Sequence, residues 1–467
     1  MATADIGLIG LGTMGAALAL NIADSGFCIA VWNRHTDVTR AFHAGAGALQ
    51  PCIVPTESLA ALIAALKEPR AIILMVPAGP VVDEMIASLR PLLGVDDMII
   101  DAGNANFHDT NRRMRDPAVG PFLGVGVSGG EEGARHGPSI MAGGPLALWD
   151  RAAPVLTAIS ARYRGEPCAA WMGQEGAGHF VKSVHNGIEY ADMQMIAEIY
   201  GILRDGMGLG AARIGALFEG WNNGALRSYL IEITAQVARA TDAASGGPLL
   251  DVIRDAAGQK GTGRWTVIEA QNLAAAIPAI EAAVMARNLS ARLDERTAGQ
   301  AIYGPAPRPM TKGLISPEAL EAALIAGKIT CYAQGFAMIA AASVEFGWSL
   351  DLPAIARVWR EGCIIRSDML DDMAAALVDG QGRNLMFAPA FVARLKASEP
   401  ALRQVIAEAA RHGLASPALA SGLAYFDLMR TGRGTANLIQ AQRDFFGAHG
   451  FERLDGAGGP GQHGPWH

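Results

Sequence analysis

Lys182, His185, Asn186, Glu189 and Tyr190 stand at i, i+3, i+4, i+7 and i+8, a spacing that puts all five on one face of a helix. Phe180, Val181, Val184 and Ile188 fall largely elsewhere on that helix. A helix this apolar is expected to be buried, and burying an ammonium, an imidazole, an amide and a carboxylate together is costly unless they line a polar cleft. Burial lowers a lysine pKa and makes a competent general base; it raises a glutamate pKa and makes a competent general acid. Lys182 and Glu189 are therefore the candidate catalytic pair. The same face also admits a buried Lys182–Glu189 ion pair, or a metal pair at His185 and Glu189 for which no third ligand is in evidence.

Three glycine-rich segments carry further chemistry. Gly10-Leu11-Gly12-Thr13-Met14-Gly15 follows a predicted strand and opens an Ala/Leu helix, the context in which such glycines allow a tight turn and the approach of a pyrophosphate to a helix N-terminus. At the end of the second predicted strand an acid would bind a ribose 2′-hydroxyl and repel a 2′-phosphate. Here Asn33-Arg34-His35-Thr36 offers a guanidinium and neutral donors instead, which favours NADP over NAD. Gly124-Val-Gly126-Val-Ser128-Gly129-Gly130 also follows a strand and offers N–H groups and a hydroxyl to a carboxylate or hydroxyl ligand. Gly258-Gln-Lys260-Gly261-Thr262-Gly263-Arg264 places cations on a loop like a phosphate cradle, without Walker spacing.

The elements that must position these residues divide the chain. Apolar runs at 5–9, 28–32, 71–76, 98–101 and 122–127 alternate with helical stretches, which predicts βαβ units around a parallel sheet buried on both faces. From about Gly176 long Ala/Leu/Met/Ile segments of helical period take over. The expected architecture is an α/β Rossmann-like domain over 1–177, a large all-α domain over 178–438 and a short tail over 439–467, too irregular for a core of its own and suited to docking elsewhere. At 467 residues and 51% hydrophobic, the chain is long enough for more than one core. A net charge of -7 gives no general attraction for nucleic acid or an anionic membrane, so an anionic substrate must meet local cations. The scattered Cys28, Cys52, Cys168, Cys331 and Cys363 fit neither a disulfide framework nor a zinc site and point to a reducing compartment. Met-Ala-Thr-Ala-Asp does not read as a secretory signal, and the glycines that interrupt the uncharged run 6–23 favour strand, turn and helix over a membrane span.

Asp-Ala-Gly-Asn104, Val-Ser128-Gly-Gly-Glu-Glu-Gly, Gly-His-Phe-Val-Lys182-Ser-Val-His185-Asn186-Gly-Ile-Glu189-Tyr190, Gly-Gln-Lys260-Gly-Thr262-Gly and Ala-Gln-Arg443-Asp-Phe-Phe-Gly-Ala-His449 together resemble the long-chain 6-phosphogluconate dehydrogenase family, nearly end to end. The resemblance implies a cytoplasmic homodimer that oxidises 6-phosphogluconate to ribulose 5-phosphate and carbon dioxide and forms NADPH. Lys182 would take the 3-hydroxyl proton and return it to the 3-keto group, which is β to the carboxylate and receives the electrons of decarboxylation without a metal. Glu189 would protonate C1 of the enediol. By the same resemblance Asn104, Ser128, Gly129, Gly130, His185 and Asn186 bind the sugar-acid end, Tyr190, Lys260, Thr262 and Arg287 the phosphate end, and Arg443 and His449 come from the partner's tail. Val76, Pro77, Ala78 and Asn104 would flank the cofactor. The sequence departs from the family pattern with Pro77 where lysine is usual, Ala102 for glycine and Arg264 for lysine. The competing readings are a β-hydroxyacid dehydrogenase of the 3-hydroxyisobutyrate type, which is much shorter and has no need of a phosphate cluster, and a catalytically dead NADPH-binding sensor, against which Lys182 and Glu189 together argue.

Overall fold

The computed structural model describes residues 4–379 and 383–466; Met1, Ala2 and Thr3, part of the opening read above as no secretory signal, lie outside them. Among the described residues ten strands form: β1 (Ile6–Ile9), β2 (Ile29–Trp32), β3 (Ile53–Pro55), β4 (Ala71–Leu74), β5 (Met98–Asp101), β6 (Phe122–Ser128), β7 (Ser139–Gly143), β8 (Arg162–Tyr163), β9 (Glu166–Pro167) and β10 (Ala169–Gly173). Eight of them make one sheet in the order β10-β7-β6-β5-β4-β1-β2-β3, while β8 and β9 pair alone. Strands β1 to β6 run parallel, β7 is antiparallel to β6, and β10 is parallel to β7. Every residue of β1, β5, β6 and β7 is buried, as a sheet covered by helices on both faces requires.

The five strands expected from apolar runs all form, with ends moved by a residue or two. β4 stops at Leu74 rather than Val76 because Met75 donates its last sheet bond to Ile9 O and Pro77 has no N–H to continue. Strands β3, β7 and β10 carry no such signal: β3 is three residues ending in proline, and Ala-Ala-Trp-Met-Gly has no β-branched residue.

The chain then enters a helical domain through the helix Ala177–Gly201, which carries the polar stripe and runs on into a single π turn at Ile202–Gly206. It packs against the 29-residue helix Pro317–Glu345, where Gly335 lets Ile188 approach so closely that an added Cβ would lie 2.5 Å from its Cδ1. Pro317–Glu345 is apolar and long enough to cross a membrane, but 83% of its most apolar window is buried inside the protein, the mark of a core helix. Phe107, from the first domain, meets Phe180 edge-on at 5.3 Å and Trp348 at 5.8 Å, so an aromatic joint fixes the stripe helix against the sheet. On the other side β6 presents Gly126, whose missing side chain makes room for Lys182: a Cβ there would lie 2.4 Å from Lys182 Cβ. Gly126→Ala is therefore expected to cost about 1–3 kcal/mol through overpacking, read as a lower midpoint of chemical denaturation. An unchanged midpoint would show that the helix does not depend on this approach.

The tail departs from expectation. The helix Ala436–Gly447 spans the division drawn after Leu438. The Gly/Pro-rich end is ordered around Asp444, the helix's one buried residue, whose carboxylate accepts from Gly450 N at 2.9 Å, Gly464 N at 2.8 Å and Trp466 Nε1 at 2.7 Å and pairs with His463 Nδ1 at 2.7 Å. Polar closure of this kind has no hydrophobic period, which is why the segment reads as irregular. Leu438, Ile439, Phe445 and Phe446 remain exposed on the same helix.

Candidate active site

On the stripe helix Lys182 Nζ donates to Asn186 Oδ1 at 2.6 Å, one turn further on, and to Ser128 Oγ at the end of β6 at 3.1 Å. His185 lies between the same partners, with Nε2 3.3 Å from Ser128 Oγ and Nδ1 3.0 Å from Asn186 Oδ1. Asn186 Nδ2 in turn donates to Thr262 Oγ1 at 2.9 Å. The β6 loop, the stripe helix and the 258–264 loop thus converge. Glu189 Oε2 sits 3.9 Å from His185 Nδ1; Lys182 and Glu189 make no direct ion pair. Burial lowers the Lys182 pKa, with the Glu189 charge pulling back. It pushes His185 well below the imidazole range, with Lys182 adding to the effect, so the ring is neutral and can donate at one nitrogen and accept at the other. Burial also raises Glu189, against the opposing pull of Lys182 and Arg287. Proton affinities shifted toward each other are what a base and an acid working near neutral pH require.

Beside the 258–264 loop, the Arg287 guanidinium lies 3.4 Å from the centre of the Tyr190 ring and donates to Gly258 O at 3.4 Å, so these two residues and the loop bearing Lys260 form one patch. Lys260 itself is exposed, and Thr262 is buried. Gly129 and Gly130 take φ of +113° and +65° in the turn that follows Ser128 and opens the next helix. Asn104 lies exposed beyond β5. Arg443 and His449 are exposed on the tail; their contacts are to Gln440 and Phe446, and neither touches the Lys182 cluster of its own chain.

The parallel strands run in the order that leaves a crevice between β1 and β4, where dinucleotides bind. The cradle there fits a pyrophosphate. A Cβ on Gly10 would meet Met75 O at 2.4 Å and one on Gly15 would meet Gly10 O at 1.9 Å, whereas Gly12 faces open space with nothing within 4 Å. The helix Thr13–Asp24 that follows has no side-chain cap and no acid in its first turn, so its leading N–H groups await an anion. Asn33 stitches this turn to β2 by accepting from Leu11 N at 3.1 Å, and His35 is the N-cap residue of the helix beginning at Thr36. Arg34 is exposed and makes no hydrogen bond or ion pair among the described residues. Val76, Pro77 and Ala78 follow β4 directly, and a Cβ on Gly10 would lie 3.3 Å from Val76 Cγ1.

Sequence reading missed Trp359, which meets His185 edge-on at 5.6 Å, and Cys363, whose buried thiol donates to Trp359 O at 3.0 Å near enough to Lys182 for their charges to interact. Both lie in Trp359-Arg-Glu-Gly-Cys363, a short bend between helices whose packing on the stripe has no sequence period. Among the described residues no group of three or more His, Cys, Asp or Glu could hold a metal ion.

A glycine cradle at the switch point of a Rossmann-like sheet, followed by a helix that carries a buried lysine, points to a class: dehydrogenases that use a nicotinamide nucleotide. Two family models match, the NAD binding domain of 6-phosphogluconate dehydrogenase over residues 5–173 and the 6-phosphogluconate dehydrogenase C-terminal domain over residues 178–466. The chain belongs to the 6-phosphogluconate dehydrogenase family. It is 45% identical over 457 residues to the NAD(+)-dependent, decarboxylating 6-phosphogluconate dehydrogenase of Bacillus subtilis (strain 168), covering 96% of this chain and 97% of that one. It is 46% identical over 465 residues to the NADP(+)-dependent enzyme of the same strain, covering 98% of each. Its structure is similar to that of Plasmodium falciparum 6-phosphogluconate dehydrogenase, studied in its apo form and with NADP+ or 6-phosphogluconate, with a TM-score of 0.94 at 37% identity over 99% of this chain and 100% of that one. A match that continues to residue 466 sets aside the shorter hydroxyacid dehydrogenases.

Proposed function

We propose that the chain converts 6-phosphogluconate into ribulose 5-phosphate and carbon dioxide with NADP, as a cytoplasmic dimer. The observation that carries this reading is the convergence of Lys182, Ser128, His185, Asn186 and Thr262 in one hydrogen-bonded cluster inside a chain matched by the family from end to end. When bound, NADP supplies the hydride acceptor for C3. Lys182, whose pKa burial lowers, takes the 3-hydroxyl proton and returns it to the keto oxygen. The bond to the carboxylate then breaks, carbon dioxide leaves, and the electron pair stays in the enediol. Glu189, whose pKa burial raises, gives its proton to C1. Asn104, Ser128, Gly129, Gly130, His185 and Asn186 hold the sugar acid; Tyr190, Lys260, Thr262 and Arg287 hold the phosphate. The test is NADPH absorbance followed together with carbon dioxide release, with both nucleotides supplied. Oxidation without release would overturn the decarboxylating reading.

Preference for NADP is supported by an exposed guanidinium, with no acid, at the end of β2. Arg34→Asp is expected to move the ratio of kcat/KM values from NADP toward NAD by roughly 10- to 100-fold, since a hydrogen bond to a charged group is worth about 1.5–3 kcal/mol. An unchanged ratio would place the 2′-phosphate elsewhere. Glu189→Gln is expected to reduce steady-state turnover about 100-fold, the lower end for a general acid, while the first NADPH formed and the first carbon dioxide released keep near-normal rates. Equal loss at all three steps would assign Glu189 another role.

A further inference from the structure

Arg113 is wholly buried, lies outside the cluster above and has no part in the chemistry. From the helix Phe107–Arg115 its guanidinium spans two neighbouring loops. Nε and Nη2 hold Asp83 Oδ1 and Oδ2 at 2.9 and 3.1 Å, and Nη2 also donates to Gly79 O at 3.0 Å. Nη1 reaches Asp101 Oδ2 at 3.5 Å. Gly79 closes the loop 75–79 after β4, and Asp83 lies on the helix Pro80–Leu89 that this loop opens. Asp101 ends β5, and its second oxygen, Oδ1, accepts from Gly103 N at 3.1 Å, in the loop that presents Asn104. The two loops also touch directly, since a Cβ on Gly103 would lie 3.1 Å from Val76 O. One turn before Arg113, Thr110 Oγ1 bonds His179 Nδ1 of the stripe helix at 2.7 Å.

A buried guanidinium is costly unless its donors are matched, and here Asp83 and Asp101 match it, with exposed Arg112 also bonded to Asp83 at 3.0 Å. The Arg113 hydrogen bond is the main reason the Asp83 carboxyl is held below the usual carboxylate range. A planar fork can serve carboxylates in two directions at once from nitrogens set apart, a span that the single ammonium nitrogen of lysine lacks.

We propose that Arg113 is a positioning residue that locks the 75–79 and 102–106 loops to each other, so that the nicotinamide end of the cofactor and C3 of the sugar acid meet Lys182 at a fixed separation. The inference rests on the proposed reading of the crevice as a dinucleotide site and of Lys182 as the base. Displacement of reacting groups by about 1 Å can cost 100-fold in rate.

The test uses the full-length protein with Arg113→Lys, which keeps the charge but cannot bridge both loops. Binding is measured with NADPH, by its fluorescence, and with 2′,5′-ADP, which carries only the adenosine end. Expected are a 10- to 100-fold fall in kcat, a larger isotope effect on kcat with 6-phosphogluconate deuterated at C3, NADPH binding weakened about tenfold, and 2′,5′-ADP binding changed less than twofold. Asp101→Asn, which cuts only the β5 arm of the bridge, is expected to show the same pattern in a milder form and stands in should the lysine variant not fold. Unchanged kcat and isotope effect, or NADPH and 2′,5′-ADP binding weakened alike, would overturn the proposal and leave Arg113 a matter of general stability. Wild-type protein that fails to turn over 6-phosphogluconate would count against the functional reading instead, and the two binding measurements would still decide the loop lock.

Discussion

Lys182→Met lowers kcat by about 10³-fold or more, within the range for losing a positioned general base, while the dissociation constants of NADP and 6-phosphogluconate stay within a few-fold. The variant is expected to fold, because methionine replaces a buried cation with an apolar chain of similar length and the lost hydrogen bonds have a substitute. Asn186 Oδ1 and Ser128 Oγ each lie within reach of a His185 ring nitrogen, at 3.0 and 3.3 Å, and Asn186 Nδ2 keeps Thr262. The defect therefore falls on proton transfer, and hydride transfer fails with it, since an alcohol that keeps its proton cannot become a ketone. Stopped-flow NADPH absorbance beside equilibrium titration of each ligand separates the two quantities. Near-normal turnover would remove Lys182 from the chemistry altogether.

The two shifted groups set the shape of the pH profile. Lys182 titrates below the usual lysine range and Glu189 above the usual carboxylate range, and they lie close enough for their charges to act on each other. Their titration therefore belongs to the pair. Across the middle range the pair holds one proton, and the arrangement with that proton on Glu189 is the active one, a neutral base beside a neutral acid. Adding a second proton at low pH silences the base; removing the last at high pH silences the acid. The bell-shaped profile that follows should lose its alkaline limb in Glu189→Gln.

Much of this site is written in local sequence because its parts are local. A helix face is specified by spacing within one segment, so Lys182 to Tyr190 could be read directly, and a strand–turn–helix cradle needs its glycines within six positions. Features built by approach between distant segments leave no such trace. Trp359 and Cys363 reach the stripe only through the packing of a bend, and the Arg113 bridge joins Asp83 and Asp101 from a helix whose sequence reads as a solvated, basic surface. The eight-stranded sheet was legible in its β-branched centre and not in β3, three residues ending in proline, nor in β7 and β10, where burial rather than residue type makes the strand. The order of the tail was hidden because one carboxylate, rather than an apolar face, closes it.

That tail supplies the other large expected effect. Leu438, Ile439 and Phe446 are exposed on a helix whose only buried residue is Asp444, and exposed apolar side chains clustered in this way favour contact with another surface. Arg443 and His449, carried on the same unit, make no contact with the Lys182 cluster of their own chain. If they complete the phosphate end of a second chain's site, activity needs two chains, and the requirement can be separated genetically. Lys182→Met and Arg443→Ala homodimers should each be impaired. In a mixed dimer, one site combines Lys182→Met with Arg443→Ala and is dead; the other combines wild-type Lys182 with wild-type Arg443 and should regain about half the activity of a wild-type dimer, since only one of its two sites is intact. Were Arg443 to serve its own chain, every site in the mixed dimer would carry one lesion and nothing would return. Mixed dimers purified through two different affinity tags and assayed for NADPH formation give the answer, and activity no higher than the mean of the two parents would place Arg443 and His449 in cis or in a purely structural role.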